Sequence, residues 1–302
     1  MMFPPRAWIV SWLTFSVLLA LSAAAAESVP DKASPLLFPF TATQAQAGQQ
    51  AWAKSFGKPV VDKNTLGMEF VLIPPGTFTM GSPPAEKDRR DDETQVQVTL
   101  TEAIWLSKTE VTQGQWTQVM GTIPWTGAGG IKDYAKEGPD YAACYLSWNA
   151  AQEFLKTLSQ RDGSTYRLPT EAEWEWSCRA GTSSPWSFGE KDGDLSQYGW
   201  YGGVFGEGNA QPEQYPHPVS QKLANPFGLD DMHGNVLEWC EDVYVAKRLG
   251  GTNPHVTTGS NFHVLRGGSW NYPPRNSRTS QRSKNLPDAR SYNGGFRVVR
   301  TQ

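Results

Sequence analysis

Residues 225–242 read NPFGLDDMHGNVLEWCED, and this stretch decides the fold because it packs turn formers, oxygen donors and large aromatics together. Asp231 and Glu238 stand seven apart with Gly234 and Asn235 between them. A tight turn there can gather two carboxylates and intervening carbonyls around one hard cation, for which calcium is the natural candidate. The competing reading leaves Asp230 and Asp231 as solvated turn residues and pairs Glu238 with an arginine. In the first reading the stretch is a metal-braced loop feeding a buried strand.

Upstream, TATQAQAGQQAWAKSF (41–56) carries Thr41 or Thr43 as N-cap and Gly57 at its end, which predicts a helix. Met68, Phe70 and Leu72, then Phe78 and Met80, form two strand-like runs around Pro74, Pro75 and Gly76, which predicts a hairpin. The charge-dense segment 86–93 reads as a solvated loop, and 94–107 alternates as one further strand. Thr112 caps a helix over 113–120 that Gly121 ends. Ser147 caps another from Trp148 to about Gln160, and Thr170 with Glu173 forms the capping box of a third. Trp174 and Trp176 on that helix read as packing residues. Residues 181–228 are rich in Gly, Pro, Ser and aromatics, hence long loops around short strands, and 263–300 holds two short strands, VLRGGSW and GFRVVR.

Thirteen tryptophans, 29 glycines and 22 prolines in 302 residues point to low regular secondary structure held by large aromatics. A formal charge of −3 gives no reason to expect nucleic acid or an anionic membrane as partner. Arg6 followed by an apolar run and the small residues Ala23 to Ala26 predicts a secretory signal peptide over 1–26, with a linker and helix over 27–60 and one domain over 61–302. The expected destination is periplasmic or extracellular, without a membrane span after cleavage. Cys144, Cys178 and Cys240 allow at most one disulfide and any of three pairings, and are otherwise small buried hydrophobes. His217, His233, His255 and His263 lack ligand spacing and are expected in loops or at the surface.

Seven ordered motifs then carry a resemblance. GMEFVLIPPGTFTMGS (67–82), KTEVTQGQW (108–116), YLSWNAAQEF (145–154), YRLPTEAEWEWSCRAGT (166–182), residues 225–242, VLRGGSW (264–270) and NGGFRVVR (293–300) are similar to the formylglycine-generating-enzyme family, also called the sulfatase-modifying-factor domain. The resemblance implies an α+β fold of the C-type-lectin-like type with calcium-braced loops. It places calcium on the side chains of Asp231 and Glu238 and the carbonyls of Gly234 and Val236. A second calcium position falls in 198–203, where Trp200 replaces the expected asparagine. The family's oxidase chemistry uses two cysteines after the GGS motif to hold copper(I); here WNYPPRNSRTSQRS puts Tyr272 at the first position and Ser277 near the second. Formylglycine formation and bound copper are therefore not expected.

Ser269 and Asn293 match family positions lining the substrate groove. With Trp270, Asn271, Tyr272, Arg275, Arg278 and Arg282 they form a candidate site for a peptide, glycan or carboxylate, in which arginine supplies forked donors and tryptophan a stacking face. The alternative makes Trp270 core and pairs the arginines with Asp288, Glu238 or Glu241. Two function classes follow. One is a non-catalytic, calcium-stabilised binding module for a ligand or a cell-envelope protein, a pseudoenzyme. The other is an oxidoreductase-like enzyme of the same family that matures an exported substrate. A Ser/His/Asp hydrolase lacks the GxSxG elbow.

Overall fold

A computed structural model describes residues 1–3, 33–126, 134–202 and 215–301. The expected leader and most of the linker that follows it lie outside the described residues. Three sheets organise the rest. The largest has the order β2 (Val61–Lys63), β3 (Glu69–Ile73), β6 (Ile104–Ser107), β13 (Val299–Arg300), β7 (Tyr166–Arg167). A second runs β1 (Leu36–Leu37), β4 (Gly76–Met80), β5 (Val96–Leu100), β9 (Gly251–Thr252). The third, which carries the candidate site, runs β11 (Ser283–Asn285), β10 (His263–Arg266), β8 (Leu237–Val243), β12 (Gly294–Gly295). Five helices, α1 (Ala42–Phe56), α2 (Gln113–Met120), α3 (Trp148–Asp162), α4 (Glu171–Arg179) and α5 (Leu195–Tyr198), pack around them.

The caps read from the sequence hold. Thr41 with Gln44, Thr112 with Gln115 and Thr170 with Glu173 form reciprocal capping boxes, Ser147 caps α3, and Gly57, Gly121 and Gly163 close their helices in the left-handed region. With 25% helix and 21% strand, regular content is low, as the composition implies.

The expected hairpin over 68–80 does not form. β3 pairs with β2 and β6, whereas β4 pairs with β1 and β5, so the two runs enter different sheets. Pro74 and Pro75 have no N–H to continue a ladder, and the chain leaves one sheet there. The single strand expected over 94–107 likewise splits into β5 and β6 in separate sheets. The arm before α1 is docked by β1, parallel to β4, and Gln49 of α1 donates from Nε2 to the carbonyls of Leu72 and Phe227 at 2.9 Å each.

Two apolar clusters result. One places Trp116, Phe154 and Phe296 between α2, α3 and the sheets; the other gathers Phe40, Phe78, Trp176 and Phe227 beside α4. A Cβ at Gly76 would lie 2.5 Å from the Trp176 ring, so only glycine lets β4 pass that indole. Burying several such aromatics, at roughly 1.5–3 kcal/mol each, stabilises a chain with few long elements. The three cysteines are buried and free, matching a packing role. No helix among the described residues is long and apolar enough to cross a membrane.

Candidate functional site

The loop into β8 turns as its residue types demand. Asp231, Gly234 and Asn235 all have positive φ (57°, 124° and 57°), and a Cβ at Gly234 would sit 2.1 Å from the Trp200 carbonyl oxygen. Asn235 ties the loop to its neighbours by donating from its peptide N–H to Trp200 and accepting from His217 at Oδ1. The turn brings Asp231 and Glu238 into one buried corner, and two further residues join them, Glu110 from the β6–α2 connection and Arg297.

Arg297 grips Glu238 at two points, Nε to Oε2 at 2.6 Å and Nη2 to Oε1 at 2.7 Å; the Trp174 indole adds a third bond to Oε2 at 2.6 Å. The arginine pairing of the competing reading is thus present, with Arg297 as partner. Yet the corner is not satisfied. Asp231 Oδ2 accepts from the Ser220 N–H, but Oδ1 meets no donor, and neither Glu110 oxygen meets a donor from another residue. Burial pushes Asp231 up to about 7, with Asp230 and Glu238 adding to the effect. Burial and the charges of Asp231 and Glu238 hold Glu110 well above the ordinary range. Among the described residues, no group of three or more His, Cys, Asp or Glu side chains is disposed to hold a metal ion. Asp231 Oδ1 and both Glu110 oxygens thus lie buried without a donor from another residue, which is costly for a charged group.

At the second position implied for calcium, Trp200 stacks on His217 with centroids 3.7 Å apart, and the Lys222 ammonium lies 3.8 Å from the indole centroid. His217 and His233 stand in loops, one of the two settings expected, but are buried there. His233 is held between the Ser277 carbonyl at Nδ1 and Ser187 at Nε2.

The expected ligand residues do not form one pocket. Tyr272, Arg282 and Asn293 line a groove of about 300 Å³ across the face of the third sheet, with Leu237, Trp239 and Leu265 as its floor. Ser269, Asn271 and Asn293 form a buried knot: Ser269 Oγ to Asn271 Oδ1 is 2.7 Å, and Asn293 Nδ2 reaches Ser269 Oγ at 3.1 Å and Asn271 Oδ1 at 2.9 Å. Trp270 is core, packed on Tyr134 and Tyr292. Arg275 is exposed and lines a different cleft, beside Lys87, Trp186 and Pro273.

Arg278 and Arg282 are ion-pair partners in the interior, and the acids they meet are not those expected. Arg278 binds Glu93 at 2.7 and 2.8 Å and Glu86 at 2.5 Å, which draws these two acids inward while Lys87, Asp88, Arg90 and Asp91 stay exposed, as expected of a solvated loop. Arg282 binds Glu171 at 2.6 and 2.8 Å. Glu171 shares Arg266 with Glu175, which in turn takes Arg179 and Arg248. The forks of both arginines are thus taken by acids, those of Arg278 by Glu86 and Glu93 and those of Arg282 by Glu171 of α4, although Arg282 also borders the groove and Arg278 the cleft of Arg275.

At the edge of this network Asp242 accepts from the peptide N–H groups of Glu171 and Val256. Burial, then the neighbouring Glu171 charge, pushes its pKa up to about 7 from an ordinary 3.8. A raised carboxyl contributes stability that is complete below the unfolded value and lost as pH climbs through the folded one. Between pH 4 and 8 the wild type should therefore lose on the order of 3–4 kcal/mol relative to Asp242→Asn. Urea unfolding of both proteins across that range checks this; parallel curves would refute it.

Fold and site together define a class. The chain belongs to the sulfatase-modifying factor enzyme 1-like domain family, which matches residues 55–302. It is 31% identical over 197 residues to the formylglycine-generating enzyme of Streptomyces coelicolor, covering 61% of this chain and 60% of that protein. It is 30% identical over 187 residues to the inactive C-alpha-formylglycine-generating enzyme 2 of Bos taurus, covering 58% and 55%. The chain thus spans about three fifths or less of these curated relatives. Among solved structures, PvdO from Pseudomonas aeruginosa superposes with a TM-score of 0.70 at 29% identity, over 81% of this chain and 99% of that one. The family resemblance and the α+β fold are borne out.

Proposed function

We propose that this chain is a calcium-stiffened binding module of its family, one that recognises a peptide or glycan and does not generate formylglycine. The single observation behind this is the segment after Gly267, Gly268 and Ser269, where Tyr272 and Ser277 stand in place of two thiols. Copper(I) is soft and takes thiolates; a phenol and a hydroxyl are poor substitutes. Cys144, Cys178 and Cys240 are buried, and burial raises all three thiols above their ordinary range, Cys144 to about 12. None of the three lines the groove below Tyr272. A relative named as an inactive formylglycine-generating enzyme supports loss of the chemistry on a retained fold.

The groove has an apolar floor, with Tyr272, Lys284, Asn285 and Asn293 among its walls. Flat apolar surface under amide and ammonium groups suits a peptide or sugar stretch. The leader-like residues 1–26 support a meeting with that ligand outside the cytoplasm. The test has two parts. Incubated with a CxPxR peptide, oxygen and added copper, the protein should leave the cysteine unchanged, and aldehyde on the peptide would overturn the proposal. On a peptide and glycan array the protein should give hits that Tyr272→Ala weakens.

A further inference from the structure

The groove over the third sheet is bordered by a sheet edge. β11 is an outermost strand of that sheet, and Ser283, Lys284 and Asn285 all line the groove. An edge strand offers backbone N–H and C=O groups to one more strand. Register sets what such a strand would meet. Ser283 stands opposite Leu265, and Leu265 opposite Trp239, so these three share one face with Leu237, two residues before Trp239. Lys284, opposite Val264, points to the other face.

There its ammonium lies 4.1 Å from the Tyr244 ring centroid and 5.4 Å from that of Phe262. Tyr244 is fixed in turn by its hydroxyl, which donates to Asp92 at 2.7 Å. Aromatic faces hold a cation in place without cancelling its charge. The acids nearby are committed elsewhere: Asp92 to Tyr244 and, at 3.9 Å, to Arg90, and Glu171 to Arg282. Among the described residues, no carboxylate pairs with Lys284.

A peptide laid along β11 alternates its side chains in the rhythm of the strand it joins. Side chains on one face then cover Leu237, Trp239 and Leu265, and those on the other meet the Lys284 ammonium. We propose that the groove takes a peptide as an added strand of the third sheet, one in which apolar residues alternate with aspartate or glutamate, an inference that rests on the binding reading above. A glycan has no row of N–H and C=O groups to match the edge, and a basic peptide would set like charges together.

The probes are blocked hexapeptides in which valine alternates with glutamate, glutamine or lysine, titrated by calorimetry against the full chain. The glutamate peptide should bind, the glutamine peptide at least about threefold more weakly, and the lysine peptide more weakly still. Lys284→Gln should bind the glutamate and glutamine peptides equally and melt with wild type, since the side chain is exposed. Methylating the backbone nitrogens that face β11, either all the valine ones or all the glutamate ones, should weaken binding about tenfold, and methylating the other set should not. Equal binding of the glutamate and glutamine peptides to wild type, or discrimination that survives in Lys284→Gln, overturns the charge assignment. Two methylated peptides that both bind like their parent overturn strand addition. If no hexapeptide binds and the array returns glycans alone, the inference falls and the binding reading stands. An array without hits overturns both.

Discussion

Glu175→Gln is expected to lower the melting temperature by roughly 10 °C, from a loss of about 3–5 kcal/mol at about 2–4 °C per kcal/mol. Its carboxylate is buried and accepts from Arg179 Nε at 2.9 Å, Arg248 Nη1 at 2.8 Å, Arg266 Nη2 at 2.7 Å and the Gly81 N–H at 2.7 Å. An amide offers one acceptor oxygen, turns its NH2 toward donors, and leaves three guanidiniums repelling one another without water. Burial pushes the Glu175 carboxyl up, but Arg248, Arg179 and Arg266 together hold it well below the ordinary range. A depressed carboxyl contributes stability above the unfolded value and loses it as pH falls, so the gap between wild type and variant should narrow in acid. Calorimetric melts at pH 7 and pH 3 measure both effects. An exposed counterpart, Glu69→Gln beside Lys63 at 3.1 Å, should change stability by less than about 1 kcal/mol. Equal melting temperatures for Glu175→Gln and wild type would mean that the buried network contributes nothing.

Local structure was legible in this chain wherever a single residue settles a backbone group. Thr112, Ser147, Thr170 and Gly121 mark their helix ends because a hydroxyl satisfies an orphan N–H and a glycine takes the left-handed turn, both decided within four residues. Sheet membership is not local. The runs at 69–73 and 76–80 have the pattern of paired strands, and nothing in that pattern states that Pro74 and Pro75 divert the chain into a second sheet. Glu86, Asp92 and Glu93 looked solvated because their charges were counted without their partners, Arg278 and Tyr244, which lie more than 150 residues downstream.

The site was legible in the same proportion. Asp231, Gly234 and Glu238 were readable from the turn chemistry of one loop, and Tyr272 and Asn293 from their motif positions; the structure brings Asp231 and Glu238 to one corner and the last pair to one groove. Glu110 was missed, although a carboxylate in KTEVT, followed at once by the buried Val111, was a signal that a charge enters the interior. Arginines on a motif-rich segment look alike whether they face a ligand or an acid. Only the fold shows that Arg278 and Arg282 spend their forks inward.

That difference makes Arg278 decisive. Arg278→Met should lower stability by about 3–5 kcal/mol, because Glu86 and Glu93 would face each other without the guanidinium that binds both. Burial pushes Glu93 up, yet the hydrogen bonds and charge of Arg278 bring it below its ordinary 4.5. The contribution is therefore present above that value and lost as pH falls through the folded one, so the penalty should shrink below about pH 4. Adding Glu93→Gln to Arg278→Met should recover part of the loss, as expected for residues sharing one interaction. Arg275→Ala, three residues away and exposed, should fall within about 0.5 kcal/mol of wild type. Urea midpoints for the four proteins decide the matter. A ligand-facing Arg278 would leave the midpoint in place and weaken array binding; a structural one moves the midpoint first, and the double variant moves it partly back.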